Sequence, residues 1–138
     1  MAINNANFPN PVPTNQGGTG SRTGTLASAI KGVARALTDA AVVTPDLSAG
    51  GASSGNFFTL LATAGIGATR QVGLPTGLVA GEAATIMLRY SQDAAGSRAL
   101  TFAAGITLVG TIVTTTLAVN VIQMVTFDGG TSWRANVL

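Results

Sequence analysis

Residues 119–138 read VNVIQMVTFDGGTSWRANVL, and this stretch decides the fold class. Its first part alternates between two sets, as a β-strand does: Val119, Val121, Gln123, Val125 and Phe127 in one set, and Asn120, Ile122, Met124 and Thr126 in the other. The loop Asp128-Gly129-Gly130-Thr131 tolerates positive φ. The alternation then resumes with Trp133, Ala135 and Val137 against Arg134, Asn136 and Leu138. The pattern predicts a hairpin that belongs to a larger sheet.

The hairpin lies within an uncharged run, residues 99–127, which is long enough to cross a membrane as a helix. Threonines are scattered through this run, and Gly105 and Gly110 interrupt it. β-Branched residues suit a pleated sheet better than a helix, and no Lys/Arg cluster flanks the run to orient a membrane span. The sequence therefore predicts strands here and no membrane partner.

Short strand patterns separated by Gly and Pro turns continue upstream. The predicted strands are residues 56–64, 68–74, 83–91, 98–102, 106–109, 111–117, 119–127 and 132–137. Many short strands at this spacing are typical of an antiparallel β-sandwich or barrel, with a jelly roll as the model. We therefore expect a mainly β fold with its β-domain at residues 56–138.

The first 24 residues have no periodicity and are rich in Asn, Pro, Thr and Gly. They cannot bury enough area to fold alone. One interpretation is a disordered tail. The other is an extended docking arm, in which Ile3, Phe8 and Val12 are apolar anchors for a groove on a neighbouring molecule.

Residues 25–41 have helical periodicity. Leu26, Ile30, Val33 and Leu37 fall on one apolar stripe, which predicts a short helix. That stripe would pack on the domain's own sheet or meet symmetry mates at an axis, and the sequence favours neither. Residues 42–55 are predicted to be a linker, because Pro, Gly and Ser follow the end of the helical pattern.

Only 9% of the residues are charged, and the net charge is +2. An isolated small domain usually has a much more charged surface, so we expect this chain to hide part of its exterior in a homo-oligomer or a larger assembly. No run of Lys and Arg interleaved with aromatic residues is present. Nucleic acid is therefore not an expected partner.

Histidine and cysteine are both absent, which excludes the common nucleophilic triads and the usual zinc sites. No two of the five carboxylates lie within four residues of each other. We expect no enzyme activity, no cofactor and no metal. Asp128 is interpreted as a turn former. Trp133 is interpreted as a sheet-packing residue, with contact to a partner or a sugar as the alternative.

Two segments resemble proteins of tailed bacteriophages. PVPTNQGGTGSRT, residues 11–23, resembles the Pro/Asn-rich GGTG segment of tail fibres, and VTFDGGTSWRANVL, residues 125–138, resembles the terminal hairpin of phage virion β-domains. The resemblance implies trimers that attach through an N-terminal segment. The residues it assigns to attachment or a hinge are Gln16, Gly17, Gly18, Thr19 and Gly20. The residues it assigns to the hairpin are Asp128, Gly129 and Trp133.

Fibre proteins are commonly long and repetitive, whereas this chain has 138 residues and a single predicted β-domain. In that respect it resembles capsid decoration, or cement, proteins, which clamp neighbouring capsomers. The leading expectation is a trimeric decoration protein of the virion that binds the major capsid protein or another virion protein. The alternative is a short tail fibre or receptor-binding appendage.

Overall fold

The computed structural model describes residues 33–48 and 56–138. The described residues form nine strands, most of them in short β-branched and aromatic stretches that alternate with turn residues. They are β1 (Arg35–Ala36), β2 (Val42–Val43), β3 (Phe57–Leu61), β4 (Thr69–Val72), β5 (Ala84–Ser91), β6 (Ala99–Phe102), β7 (Ile106–Val109), β8 (Val119–Thr126) and β9 (Trp133–Val137). A 3₁₀ turn, Ala64–Ile66, lies between β3 and β4.

The strands form a six-stranded sheet in the order β1-β3-β5-β8-β9-β7 and a three-stranded sheet in the order β2-β4-β6. From β1 to β6 the chain alternates between the two sheets, and successive strands in each sheet are parallel. Phe58 pairs with Leu88, and Val72 pairs with Phe102, thirty residues on in both cases. The first part of the domain is thus a coil that passes through both sheets once per turn.

The second part of the domain is built differently. β8 pairs antiparallel with β5 and with β9, and β7 completes the six-stranded sheet by pairing parallel with β9. The predicted 128–131 loop joins β8 to β9, with Gly129 and Gly130 both at positive φ (72° and 85°). The terminal hairpin predicted from the sequence is therefore confirmed.

One hydrophobic core contains residues of both sheets. The largest contribution comes from the inward faces of the central strands β3, β5 and β8, where Leu60, Ile86, Leu88 and Ile122 are at most 1% exposed. Val43, Val72 and Leu100 complete the core from the three-stranded sheet. Burial of apolar area at about 25 cal/mol per Å² is the main favourable term that holds the sheets together.

The predicted mainly β fold is confirmed, but antiparallel pairing throughout is wrong. Five of the seven strand pairs in the described residues are parallel, so the sheets are mixed and do not have jelly-roll connections. The reason is the coil. Between two strands of one sheet the chain crosses to the other sheet and back, so the two strands run in the same direction. The alternation of side chains along a strand carries no information about the direction of its neighbour.

Seven of the eight predicted strands are present, and residues 111–117 are the exception. This segment has suitable β-branched residues, but the side chain of Asn120 bonds to both backbone groups of one of them, Val113. Asn120 Oδ1 accepts from the N–H of Val113 at 2.7 Å, and Asn120 Nδ2 donates to the carbonyl of Val113 at 2.9 Å. These are the groups that a neighbouring strand would need.

The predicted helix at residues 25–41 is wrong over its described part, residues 33–41. Arg35–Ala36 is a strand, and the N–H of Leu37 donates to the carbonyl of Thr59 at 2.8 Å. Pairing with β3 overrides a weak local preference, a common outcome for a helix this short. The predicted linker is also corrected, because Val42–Val43 forms β2. Residues 25–32 and 49–55 lie outside the described residues.

Candidate functional site

The outer face of the six-stranded sheet, the side turned away from the core, carries apolar and polar strand residues in equal number. Strand alternation places alternate residues of each strand on this face. Its large apolar members are Phe57 and Leu61 of β3, Met87 of β5, Val109 of β7, and Val119, Val121 and Val125 of β8. Phe127, just beyond β8, is 79% exposed. We call this surface the outer face.

The other sheet shows what an ordinary solvent-facing surface looks like in this protein. Thr69 and Gln71 of β4 and Thr101 of β6 face away from the core there, so that surface is mainly polar. The large apolar exception is Val42 of the short strand β2, which is 55% exposed. Large exposed apolar side chains are therefore concentrated on the outer face, although both sheets contribute to the same core.

The charges on the outer face are all positive. Arg89 and Arg134 are exposed on its strands, and the outward strand residues of the described sheet include no Asp or Glu. Arg89 makes no hydrogen bond or ion pair with the described residues, and Arg134 donates from Nε to Asn136 Oδ1 at 3.2 Å. Both guanidinium groups therefore keep donors available for an approaching molecule.

Two open clefts lie at opposite ends of this face. One has a volume of about 600 Å³ at the hairpin end, where Phe127, Arg134 and Asn136 surround it with Thr107 and Asp128. The other, of about 530 Å³, lies beside β1 and includes Arg89, Ser91 and Thr59 in its lining. Each cleft combines apolar surface with one arginine, an arrangement that suits a partially polar ligand group.

The hairpin residues predicted as a site come together in one loop. Asp128 Oδ1 accepts from the hydroxyl of Thr126 at 2.8 Å and from the N–H of Ser132 at 3.0 Å. Hydrogen bonds from the hydroxyl of Ser132 and from these groups lower the pKa of Asp128 to about 2. Its carboxylate therefore holds the loop in shape, as expected of a turn former.

Gly129 and Trp133 complete the loop. The N–H of Gly129 donates to the carbonyl of Glu82 at 2.8 Å, which attaches the hairpin to the turn before β5. Trp133 is 3% exposed and donates from Nε1 to the carbonyl of Gly130 at 3.1 Å. The prediction that Trp133 packs in the sheet is confirmed.

The most connected titratable pair is Asp39 with Arg70, beyond the edge strand β1. Arg70 is fully buried and donates to the Asp39 carboxylate, to the carbonyl of Gly67 and to the carbonyl of Thr63. Asp39 also accepts from the N–H and the hydroxyl of Thr63. The carboxylate is therefore surrounded by donors, which fits a structural role rather than proton transfer or metal binding.

The remaining predicted site residues are distributed as follows. Val33 is 72% exposed, and Leu37 packs at the margin of the core, so these two do not share a buried helical stripe. Leu26 and Ile30 lie outside the described residues, as do all the predicted arm residues: Ile3, Phe8, Val12, Gln16, Gly17, Gly18, Thr19 and Gly20.

Sequence reasoning missed the outer face as a site. The signal was present in β8, where both alternating sets are mostly apolar and one of them must face away from the core. The set with two polar members, Asn120 and Thr126, is the buried one.

No family model matches this chain, and no curated protein or solved structure matches it significantly. Within residues 33–48 and 56–138, no helix has the length and apolar character that a membrane crossing requires. The same residues contain no group of three or more His, Cys, Asp or Glu side chains placed to hold a metal ion.

Proposed function

We propose that this chain is a non-enzymatic structural protein of a phage virion, a decoration protein that binds the outer surface of the capsid as an oligomer and stabilises the head. The observation that carries the proposal is the outer face, which exposes several large apolar side chains, among them Phe57, Leu61 and Val119, and has no carboxylate on its strands. A surface of this kind is typical of proteins that work by being built into an assembly.

The binding free energy in this proposal comes from apolar burial rather than from ion pairs. The described carboxylates Asp39, Asp46, Glu82, Asp93 and Asp128 all accept hydrogen bonds from their own chain, and none of them lies on a strand of the outer face. We take the two sheets as the layers of a sandwich and residues 1–24 as an arm that docks on neighbouring virion proteins. The proposal includes no catalytic step and no cofactor.

The test uses heads assembled from the major capsid protein encoded with this chain. We expect the full chain to co-sediment with the heads and to raise the temperature at which they break open. Deletion of residues 1–20 should abolish co-sedimentation without changing the oligomeric state of the protein. Binding retained after this deletion excludes the arm as the clamp, and failure of the full chain to bind any head protein contradicts the proposal.

A receptor-binding tail appendage is the second candidate, and the hairpin cleft is the observation that favours it. An exposed aromatic ring, Phe127, lies beside Arg134 and Asn136, and such a combination binds sugar rings by stacking and hydrogen bonds. Binding of the full chain to host-cell glycans, lost in Phe127→Ala and kept in Phe57→Ala, would support this function. Phe57 is the matched control, because it is an exposed aromatic residue of the same face but does not line the cleft.

A further inference from the structure

Asp128 and Gly129 form the single place in the chain where Asp or Asn precedes Gly. Such a pair can isomerise without an enzyme, because glycine has no side chain to shield its backbone nitrogen from the neighbouring carboxyl group. Asp39 and Asp93 precede alanine and Asp46 precedes leucine, and those side chains hinder the same reaction. The Asp128-Gly129 peptide bond is therefore the one in this chain whose local chemistry favours spontaneous modification.

The reaction needs no co-reactant other than water. The backbone nitrogen of Gly129 attacks Cγ of Asp128, and a C–N bond forms as the carboxyl hydroxyl and the amide proton leave as water. Water then opens the resulting cyclic imide at the carbonyl of the former peptide bond. The product is isoaspartate, in which the backbone runs through Cγ and is one methylene longer, while the mass of the chain is unchanged.

The closed hairpin loop opposes the first step at the attacking nitrogen. The N–H of Gly129 donates to the carbonyl of Glu82 at 2.8 Å, so the nitrogen must give up this hydrogen bond before it attacks. Gly129 also has little room to move, because a Cβ on it would lie 2.5 Å from the carbonyl oxygen of Val79. The segment before β5 thus holds the nitrogen in place.

The loop opposes the same step at the carboxyl group. Asp128 Oδ2 accepts from the hydroxyl of Ser132, and Oδ1 accepts from the N–H of Ser132 and the hydroxyl of Thr126. These bonds restrain Cγ and favour the ionised carboxylate, whose oxygen is a poor leaving group. They lower the pKa of Asp128 from 3.8 to about 2, which reduces the protonated, reactive fraction at neutral pH by more than about tenfold.

We infer that Asp128-Gly129 is a modification site controlled by the hairpin loop: the bond isomerises to isoaspartate in chains whose loop is open and is unreactive while the loop is closed. The inference goes beyond the proposed function and does not depend on it. Asp128, Thr131 and Ser132 are exposed, so local opening of the loop can release the bond without unfolding of the core.

A loop that has been modified should not close again. In isoaspartate the carboxylate is attached directly to Cα, so it reaches less far toward Ser132, and the longer backbone shifts Gly129 from its place beside Val79. We expect the modified chain to lose the contacts of the closed loop, including the hydrogen bond from Trp133 Nε1 to the carbonyl of Gly130 at 3.1 Å.

The first measurement compares the purified full-length chain under native conditions with the same chain in concentrated guanidinium chloride, over weeks at neutral pH. Isoaspartate is quantified by methylation with protein isoaspartyl methyltransferase and located by peptide mapping. We expect it to form at residue 128 at least about tenfold faster in the denatured chain, where the loop is open. Equal rates would overturn the inference.

Ser132→Ala supplies the second measurement under native conditions, because it removes a hydroxyl that donates to the Asp128 carboxylate. Ser48→Ala is the matched control, because it removes the equivalent hydroxyl bond at Asp46, which precedes leucine. We expect isoaspartate at residue 128 to form at least about threefold faster in Ser132→Ala and at the wild-type rate in Ser48→Ala. An unchanged rate in Ser132→Ala with a native circular dichroism spectrum would contradict the inference. So would an unfolded Ser132→Ala that reacts more slowly than the denatured wild type.

The third measurement follows refolding. After the denaturant is removed, the fraction of chains that regains the native fluorescence of Trp133 should fall in step with the isoaspartate content. Complete refolding of modified chains would overturn the expected loss of the closed loop. None of these measurements uses a head protein, so they succeed or fail independently of the proposed function.

Discussion

Asp39 and Arg70 form an ion pair with two contacts, Nε to Oδ1 at 2.8 Å and Nη2 to Oδ2 at 2.7 Å. The two residues are 31 positions apart in the chain, and Asp39 also accepts two hydrogen bonds from Thr63. The pair therefore joins the segment between β1 and β2 to strand β4, and the bonds from Thr63 join the same carboxylate to the segment between β3 and β4. Asp39 thus connects successive turns of the coil from outside the strand pairs.

Removal of Asp39 should strongly destabilise the fold. Asp39→Ala leaves the guanidinium of Arg70 buried without its partner, and we expect a loss of about 3 kcal/mol in the free energy of unfolding. This loss can be measured by urea denaturation, monitored through the fluorescence of Trp133, the single tryptophan. Asp46→Ala is the control and should cost less than about 1 kcal/mol, because the main hydrogen bonds to the Asp46 carboxylate come from Ser48, only two residues on. Equal losses in the two variants would contradict this role.

Stability should fall in acid. The hydrogen bond from Arg70 is the main cause that lowers the pKa of Asp39 to about 2, and the hydrogen bond from the Ser132 hydroxyl is the main cause for Asp128. The folded state thus holds fewer protons than the unfolded chain, whose carboxyls titrate near pH 4. The stabilisation is fully present above that pH and is lost as the pH falls from about 4 to 2. Asp39→Asn should weaken the dependence of the urea unfolding midpoint on pH. An unchanged dependence on pH would exclude Asp39 as a cause.

Gly129 should not tolerate a side chain. A Cβ there would lie 2.5 Å from the carbonyl oxygen of Val79 and 2.7 Å from the Cα of Ala80, and the residue has a φ of 72°. Gly81 also has positive φ, 85°, but a Cβ there would meet no atom within 4 Å. Gly81→Ala should cost about 1 kcal/mol for the backbone conformation alone, and Gly129→Ala clearly more. Similar thermal unfolding midpoints for the two variants would show that the hairpin loop shifts away from Val79 and Ala80 at little cost in free energy.

The stability of the fold should depend on the neutral side-chain amide of Asn120. Asn120→Asp keeps an acceptor for the N–H of Val113 but places a carboxylate next to the carbonyl of Val113, where Nδ2 donates now. We expect a loss of about 2 kcal/mol at neutral pH and a smaller loss near pH 4, where the carboxyl can be protonated and donate. Hydrogen exchange at Val113 should accelerate at neutral pH in this variant. A loss that does not depend on pH would argue against the amide contact.

Leu117 offers a route to higher stability. It has a φ of 57° and is 67% exposed, so a branched apolar residue occupies a left-handed conformation with little packing in return. Leu117→Asn should raise the free energy of unfolding by about 0.5 to 1 kcal/mol, because Asn adopts this conformation more readily. Val113→Asn, an exposed position of the same segment without positive φ, should give no gain. A gain in both variants would show that replacing an exposed apolar side chain by a polar one, rather than the backbone conformation, is the cause.

The sequence by itself determined the position of the long strands and of the terminal hairpin. The alternation of side chains in residues 84–91 and 119–126 does not depend on the tertiary structure, because neighbouring side chains of a strand always point to opposite sides. The Asp128-Gly129-Gly130 turn is equally local: glycine tolerates positive φ, and the carboxylate caps the loop. These features depend on residues close together in the chain, so periodicity and turn chemistry were enough to predict them.

Only the tertiary structure decided which side of each strand is buried, in which direction the strands run, and that residues 33–41 are not a helix. In β8 both sides are apolar enough to form a core, and the packing of Ile122 and Met124 against the other sheet selects one of them. The pairing of Arg35 with Phe58 and the bond from Arg70 to Asp39 join residues more than twenty positions apart. Contacts at that separation leave no periodic trace in the sequence, because their free energy depends on the path of the whole chain.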